Sequence, residues 1–324
     1  MHAWEQIQKT VDYIEDHIGE IISVEELAEI ACLSPFYFQR LFHRLVKCPV
    51  AEYIKLRRIA LAKEALHNSK KKVLDIALSY GFSTHEHFSR TFKNTFGISP
   101  TEYRKAPKWL NSMTKPDLLL QYVLIDEGVP LITDQIVLEI QKKKITETIQ
   151  YAGYVIRMPI SYGEGLGVES GEDPMADLWD GLHLEKEQGK IFNPNSEEIG
   201  LVLSDEEEGY YRYFAGIRPY IQSSNMMQDL SKPEWSASQK EVRPFTFELP
   251  IGEYIVCSFE AENFECLVMD VLYKATKYTA GIWIPKHKLE VEPFCVEYYE
   301  THTPDTNKME IWMKIRNDKE LQQR

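Results

Sequence analysis

Two short stretches of the chain carry side chains that proteins commonly use to contact DNA. Gln39, Arg40 and Arg44 fall on one face of a predicted helix, and Arg90 and Lys93 fall on one face of another. An arginine pairs bidentately with O6 and N7 of guanine, and a glutamine pairs in the same way with adenine. Other cations contact phosphates, which orient a protein on the duplex without reading its sequence. Side chains of these types can therefore contact double-stranded DNA where their helices present them on one surface.

The elements that must position these side chains are two helix-turn-helix units between residues 23 and 104. In the first unit, Ser23 and Glu26 form a predicted capping box that begins one helix, and Ser34 caps the next. In the second unit, Ser83 and Glu86 repeat the capping box before the second helix. Apolar residues recur three and four positions apart in these helices, which predicts a buried face on each and leaves the polar face outward.

A predicted helix over about residues 50–66 joins the two units and separates them by ~25 Å, at 1.5 Å per residue. Helix ends and tilt can bring the two recognition helices near one DNA turn apart, which is ~34 Å. One subunit could then address two successive segments of the major groove.

The second unit and the segment after it resemble the signature of AraC/XylS-type transcription regulators. The residues that carry the resemblance are Ala77, Gly81, Phe82, Phe88, Phe92, Gly97, Pro100, Tyr103 and Arg104. The match covers about the first third of the chain. One departure is Cys48, because the family more often has glycine after the first recognition helix, and it affects only a local turn.

This resemblance implies which positions contact DNA. The implied base-reading residues are Phe36, Gln39, Arg40, Thr84, His85, Glu86 and Arg90. Arg44, Lys47 and Lys93 are placed for phosphates, and so are the helix N-termini at Ser34 and Ser83. For any one of these side chains a merely solvated helix face is an equal alternative. The family also implies promoter DNA and RNA polymerase as partners, and an activator rather than a repressor.

The charge distribution agrees with a short DNA footprint in an acidic chain. The formal net charge is -13, yet residues 31–108 carry fifteen Lys and Arg against five Asp and Glu. Residues 109–324 carry twenty-one against thirty-seven. The basic stretch coincides with the helix-turn-helix units, and the acidic remainder disfavours nucleic acid.

The chain beyond these units predicts an α+β domain over residues 146–318, after a linker over 107–145 in which 130–140 could also be a strand. Each half of the domain is expected to read β-α-β-β, with helices near 174–188 and 263–280 and one long strand over 242–262. Two such halves would form one antiparallel sheet with two helices on one face and a concave region where the halves meet. The predicted fold is thus an all-α N-terminal domain over residues 1–106, with two helix-turn-helix units, followed by this α+β domain. We also expect a glycine-rich turn at 163–173 and a mobile excursion at 219–241.

The second domain resembles the GyrI-like effector-binding domain. The resemblance rests on LWDGL at 178–182, YRYFAGI at 211–217, LPIGEYIV at 249–256, GIWIP at 281–285 and VEYYE at 296–300. It implies an aromatic pocket around a carboxylate, for which Glu297 is the candidate, and a cationic or amphipathic effector. The candidate walls are Tyr154, Trp179, Tyr211, Tyr213, Tyr254, Phe259 and Trp283. Ordinary sheet core is an open alternative for each aromatic residue, and Glu297 could equally point to solvent.

Other functional classes receive little support from the sequence. The five cysteines are odd in number and scattered, which predicts buried free thiols and no metal site. No catalytic residue set, cofactor motif, signal peptide or membrane-spanning run is recognisable, so we expect a cytoplasmic protein that is not an enzyme. A homodimer stays open. The alternatives are a hydrolase in which Glu297 is a general base beside a pocket tyrosine, and a regulator that needs no ligand.

Overall fold

The computed structural model describes residues 2–108, 110–133, 136–159, 171–172, 174–187, 196–219, 242–299 and 307–316. The chain divides into two compact units, one made of Met1–Tyr122 with Ser161–Asp173, the other of Val123–Ile160 with Pro174–Arg324. The expected turn over 163–173 and the expected excursion over 219–241 lie outside the described residues, apart from 171–172 and 219.

Helices build the first unit. They are α1 (Ala3–Asp16), α2 (Val24–Ile30), α3 (Pro35–Val46), α4 (Val50–Asn68), α5 (Val73–Ser79), α6 (His85–Phe96) and α7 (Pro100–Lys105). Two apolar clusters hold these helices together, and α4 belongs to both. Val50 and Tyr53 pack with α1, α2 and α3, whereas Ile59, Ala62 and Leu66 pack with α5, α6 and α7. The predicted connecting helix is thus also the shared wall of the two cores.

An ion pair fastens α1 to α4 inside this unit. The Arg57 Nε and a terminal nitrogen donate to the two carboxylate oxygens of Glu15 at 2.8 and 2.7 Å, and the Tyr53 hydroxyl adds a third bond at 2.7 Å. Burial alone would raise the pKa of Glu15, but the bonds and charge of Arg57 outweigh it and lower that pKa. The Glu15 carboxylate therefore stays ionised and paired with Arg57, and this ion pair joins α1 to α4.

The predicted N-caps Ser23 and Ser34 are confirmed, and two details of the predicted capping boxes are wrong. Ser23 and Ser34 accept hydrogen bonds from the backbone N–H groups of Glu26 and Tyr37. The capping box at Ser23 is only half formed, because the Glu26 side chain accepts from the Tyr13 hydroxyl instead of from the Ser23 N–H. In the second unit the cap is Thr84, whose hydroxyl accepts from the His87 N–H at 3.1 Å, and Ser83 lies one residue outside the helix. Both serine and threonine suit this role, so their order alone does not decide which residue caps.

The second unit contains all nine strands of one antiparallel sheet. Two short strands of the first unit, β1 (Leu110–Asn111) and β5 (Gly171–Glu172), pair with each other. The nine-stranded sheet runs in the order β2-β3-β9-β11-β10-β6-β7-β4-β8. Its strands are β2 (Leu131–Ile132), β3 (Val137–Ile145), β4 (Ile149–Pro159), β6 (Glu198–Ser204), β7 (Tyr210–Ile217), β8 (Arg243–Leu249), β9 (Gly252–Glu260), β10 (Phe294–Tyr299) and β11 (Lys308–Lys314).

The two predicted β-α-β-β halves meet at the centre of this sheet, where β6 pairs with β10. The first half has α8 (Pro174–Glu187), which packs on β4 and β7. The second half has a continuous helical run over 264–286, made of α9 (Phe264–Cys266), α10 (Leu272–Tyr278) and α11 (Ile284–Lys286), with π-helical turns at Leu267–Val271 and Thr279–Trp283. These features confirm the predicted fold class.

Two strand assignments differ from the sequence expectation. The single strand expected over 242–262 is two strands, because the chain turns at 250–251, and β8 pairs with β4 of the first half. Val137–Ile145 forms β3, which overlaps the strand left open over 130–140, extends it to the end of the expected linker and pairs with β9 of the second half. Each half is therefore preceded by a strand that hydrogen-bonds to the other half.

This exchange requires the sheet to curl. β3 and β4 are six places apart in the strand order, ~29 Å along a flat sheet, yet residues 146–148 alone connect them. The rings of Phe247 on β8 and Phe294 on β10 lie 5.6 Å apart although three strands separate them in the sheet. The inner face of the curl holds one apolar cluster that includes Tyr151, Leu201 and Trp312.

Two further expectations concern buried free thiols and membrane-spanning segments. Cys48 and Cys257 are buried free thiols as predicted, whereas Cys32 is exposed at the turn between α2 and α3. Across the part of the chain that the structure describes, no helix has the length and apolar character needed to cross a bilayer.

Candidate functional site

The exposed faces of α3 and α6 form the first candidate site. All ten residues predicted to contact DNA are exposed, namely Phe36, Gln39, Arg40, Arg44, Lys47, Thr84, His85, Glu86, Arg90 and Lys93. On α3, the buried positions Phe38 and Phe42 fix the helix against the first core, so Gln39 and Arg40 must face outward. On α6, Phe88 and Phe92 do the same for Arg90.

The α3 face combines an apolar ring with a cation. Phe36 is 64% exposed, and the Arg40 guanidinium lies 5.6 Å from its ring centroid. A phenylalanine in this position can contact a thymine methyl group, while an arginine can pair with guanine. The pair thus presents two different base-recognising groups side by side.

The turn after each recognition helix needs a left-handed residue. Gly97 follows α6 with φ +78°, and Lys47 holds the equivalent position after α3 with φ +61°. A non-glycine residue adopts this conformation at a cost of ~1 kcal/mol. Both turns therefore have the same left-handed backbone, and the residue that corresponds to Gly97 is Lys47 rather than Cys48.

The second candidate site surrounds Glu297 on β10. Strand alternation directs Val296 into the inner-face cluster, so Glu297 points to the opposite face, which α8 covers. Glu297 is 8% exposed, and its Oε2 accepts a hydrogen bond from the Tyr213 hydroxyl at 2.7 Å and a longer one from Tyr299 at 3.4 Å. The indole N–H of Trp179, on α8, donates to the Tyr213 oxygen at 3.1 Å.

The electrostatics of this site keep both tyrosines as donors. Burial and the charge of Glu297 hold the pKa values of Tyr213 and Tyr299 well above the usual value of a phenol. The rings of Trp179 and Tyr299 also meet edge to face at 5.4 Å between centroids. The arrangement is a carboxylate held by phenol hydroxyls and walled by aromatic rings, which suits a cation or a hydrogen-bond donor.

A second carboxylate lies beside this group. Glu198 on β6 is 2% exposed, forms an ion pair with Lys186 of α8, and has one oxygen 3.0 Å from Nε2 of His183. Burial would raise the pKa of Glu198, but its bonds to His183 and Lys186 prevail and lower it to about 2. The His183 ring contacts Trp179 at 5.6 Å, so α8 links the two carboxylates through its side chains.

The other predicted wall residues are distributed over the domain. Tyr211 lies on the Glu297 side of β7, two residues from Tyr213, and Tyr154 on β4 faces the same side and donates to Glu185 at 2.7 Å. Phe259 shares this side but lies on β9. Trp283 bonds the carbonyl of Ile125 at 2.9 Å.

Tyr254 faces the inner cluster on the opposite side of the sheet, so it lies apart from Glu297. The sequence analysis missed Tyr299, Glu198 and His183. Tyr299 had a signal, because it is two residues from Glu297 on one strand and must share its face. The sequence carries no signal for Glu198 and His183, because their contact depends on how α8 packs against β6.

Comparisons with known proteins match both candidate sites to families. A helix-turn-helix domain model matches residues 27–106, and a model described as the GyrI-like small molecule binding domain matches residues 157–316. The regulatory protein SoxS of Salmonella typhimurium is 32% identical over 98 residues, which are 30% of this chain and 92% of SoxS. The chain belongs to the AraC family of transcription regulators.

Two further matches of this AraC-family chain cover a similar share of its length. The uncharacterized HTH-type transcriptional regulator YbfP of Bacillus subtilis is 40% identical over 112 residues, which are 35% of this chain and 38% of YbfP. A crystal structure of a transcriptional regulator with an AraC-type DNA-binding domain, from Chromobacterium violaceum, is 29% identical, with a TM-score of 0.31 over 32% of this chain and 96% of that one. The matched segment spans less than half of YbfP.

Proposed function

We propose that this AraC-family protein is a transcription regulator that binds promoter DNA through α3 and α6 and senses a small cationic or amphipathic molecule at Glu297. The observation that carries the proposal is the pairing, in one chain, of two exposed recognition faces with a buried carboxylate that aromatic residues surround. It acts in the cytoplasm and is not an enzyme.

The DNA half of the proposal follows from the exposed side chains. Arg40 and Arg90 project from equivalent helices, each fixed by buried phenylalanines, so both can enter successive major-groove segments. Arg44, Lys47 and Lys93 supply cations for phosphates on the same helices or just after them. The basic residues 31–108 add attraction that weakens as salt rises.

The effector half follows from the chemistry around Glu297. A carboxylate at 8% exposure is costly to hold, and a cation among the rings of Trp179 and Tyr299 would recover electrostatic and cation–π energy. An effector controls transcription only when it binds two states of the protein with different affinity. We therefore propose that occupancy of this site changes DNA affinity, subunit pairing in a homodimer, or the surface offered to RNA polymerase.

We propose activation rather than repression. The relative named HTH-type transcriptional activator AarP, of Providencia stuartii, is 33% identical over 107 residues, which are 79% of AarP. RNA polymerase would be the partner of an activator of this kind.

The test uses the full chain with labelled fragments of the promoters beside its own gene. Cationic dyes, quaternary ammonium compounds, bile-acid-like amphiphiles and neutral aromatics are screened for thermal stabilisation, and each hit is then tested in DNA binding and transcription. Binding at 100 times the dissociation constant should stabilise the protein by ~2.7 kcal/mol. Glu297→Gln should lose the cationic hits, whereas Glu253→Gln, at an exposed glutamate, should retain them.

Three results would contradict the proposal. Ligand binding without any change in DNA affinity or transcription would separate the two units functionally. Turnover of a hit that is lost in Glu297→Gln would indicate a hydrolase. DNA binding and regulated transcription without any hit would indicate a regulator that needs no ligand.

A further inference from the structure

The inner face of the sheet contains an aromatic pair that already holds a cation. Tyr298 on β10 and Trp312 on β11 stack with their ring centroids 4.9 Å apart and their planes 22° apart. The Lys143 ammonium, on β3, lies 4.1 Å from the Trp312 centroid and 5.9 Å from that of Tyr298. This is the geometry in which aromatic faces attract ammonium ions. It lies on the opposite side of the sheet from Glu297, because Tyr298 and Glu297 are successive residues of one strand.

The Lys143 ammonium contacts the faces of Trp312 and Tyr298. Among the described residues, no carboxylate forms an ion pair with Lys143, and no acceptor takes a hydrogen bond from it. Lys143 is exposed, so its flexible side chain can move into water at small cost. Trp312 is 3% exposed, and the Lys143 ammonium lies over its ring.

A carboxylate stands next to the aromatic pair. Glu310 is the direct cross-strand partner of Tyr298. Its two oxygens accept hydrogen bonds from the Trp312 indole N–H at 2.7 Å and from the Ser258 hydroxyl at 3.0 Å. No cation in the described part of the chain pairs with Glu310. These two hydrogen bonds hold the Glu310 carboxylate in place. The Lys143 ammonium lies over the neighbouring Trp312 ring but forms no ion pair with Glu310.

We propose that Tyr298, Trp312 and Glu310 form a second binding site for an organic ammonium ion, which Lys143 fills when no ligand is present. A free ammonium ligand takes the place of Lys143 on the Trp312 face and, unlike the tethered side chain, also approaches Glu310. The site is independent of the proposed effector site at Glu297, since the two open on opposite faces of the sheet.

The test titrates the full chain with choline and with its neutral isostere 3,3-dimethylbutan-1-ol. The indole N–H resonance of Trp312, identified by its loss in Trp312→Phe, reports occupancy through its bond to Glu310. Lys143→Ala should bind choline at least tenfold more tightly than the wild-type protein does, because the competing ammonium is gone. Lys144→Ala, the matched control at the next residue of β3, and Lys143→Arg, which keeps a cation on the ring, should both bind as weakly as the wild type.

Two double variants distinguish this ammonium site from the Glu297 site and from an apolar cavity. Glu310→Gln in the Lys143→Ala background should weaken choline binding at least threefold, and adding Glu297→Gln instead should leave the gain unchanged. Equal choline affinity in Lys143→Ala and Lys144→Ala would overturn the proposal. Binding of the neutral alcohol as tight as that of choline would also overturn it, because the vacated space would then be only an apolar hole.

Discussion

Gly200 on β6 lies directly opposite Glu297 on β10, and its missing side chain makes room for the hydrogen bond between Glu297 and Tyr213. A β-carbon added at Gly200 would overlap both the Glu297 carboxylate and the Tyr213 hydroxyl. The glycine is therefore part of the site although it offers no functional group.

Gly200→Ala should displace the carboxylate and break its bond to Tyr213. Overpacking of this kind costs ~1–3 kcal/mol of the free energy of unfolding, and binding of any ligand that uses Glu297 should weaken with it. Urea unfolding and ligand titration measure the two effects. Gly281→Ala is the control, because a β-carbon there meets no atom within 4 Å. Equal stability of the two variants would show that the site accommodates the methyl group.

Arg40→Ala and Arg90→Ala should each reduce the affinity for the correct operator by ~1–3 kcal/mol and relax specificity at one base pair. The reason is that each arginine projects from the outward face of a recognition helix, where it can pair with guanine. Arg44→Ala is the comparison, since a phosphate contact should weaken binding to every sequence alike. Fluorescence anisotropy on operator and random duplexes at several salt concentrations measures the difference. Equal losses on both duplexes for Arg40→Ala would reassign that residue to the phosphates.

Thr84→Ala should lower the free energy of unfolding by ~1 kcal/mol, because the Thr84 hydroxyl caps α6 by accepting from the His87 N–H. Thr84→Ser keeps this acceptor and should restore most of the stability. Thermal unfolding measures both variants, and operator binding measures the predicted base contact. If Thr84→Ala unfolds like the wild type, the cap contributes nothing and a base-reading role alone would account for this residue.

The helical unit could be predicted in detail because its signals are local. Capping residues such as Ser34 and buried residues such as Phe88 and Phe92 act within a few positions of one another, so spacing alone specifies them. Even there the choice between Ser83 and Thr84 as the cap depended on one residue of register, which either sequence position would satisfy.

The sheet could be predicted only in its repeated parts. The two β-α-β-β halves follow from local patterns, but the pairing of β3 with β9 and of β8 with β4 joins strands of different halves. Such pairings depend on contacts far apart in sequence. The stretch 242–262, predicted as one strand, contains a turn between Leu249 and Gly252. The face of Glu297 was undecidable for the same reason, since alternation defines two faces without saying which one a helix covers.

The stability of the second unit should depend on pH through Glu198. Its pKa is about 2 in the folded protein, against an ordinary value of 4.5, because His183 and Lys186 favour the ionised form. A depressed folded-state pKa gives stability that is fully present above pH ~4.5 and is lost as the pH falls toward 2. The shift corresponds to at most about 3 kcal/mol.

Glu198→Gln should therefore be less stable than the wild type at pH 7 and should lose less stability between pH 4.5 and pH 3. Urea unfolding at pH 7, 4.5 and 3, followed by circular dichroism, measures both quantities. Glu253→Gln, which changes an exposed carboxylate on β9, should keep the pH dependence of the wild type. The same loss of stability with acid in Glu198→Gln and the wild type would show that the cluster of Glu198, His183 and Lys186 does not stabilise the fold through its charges.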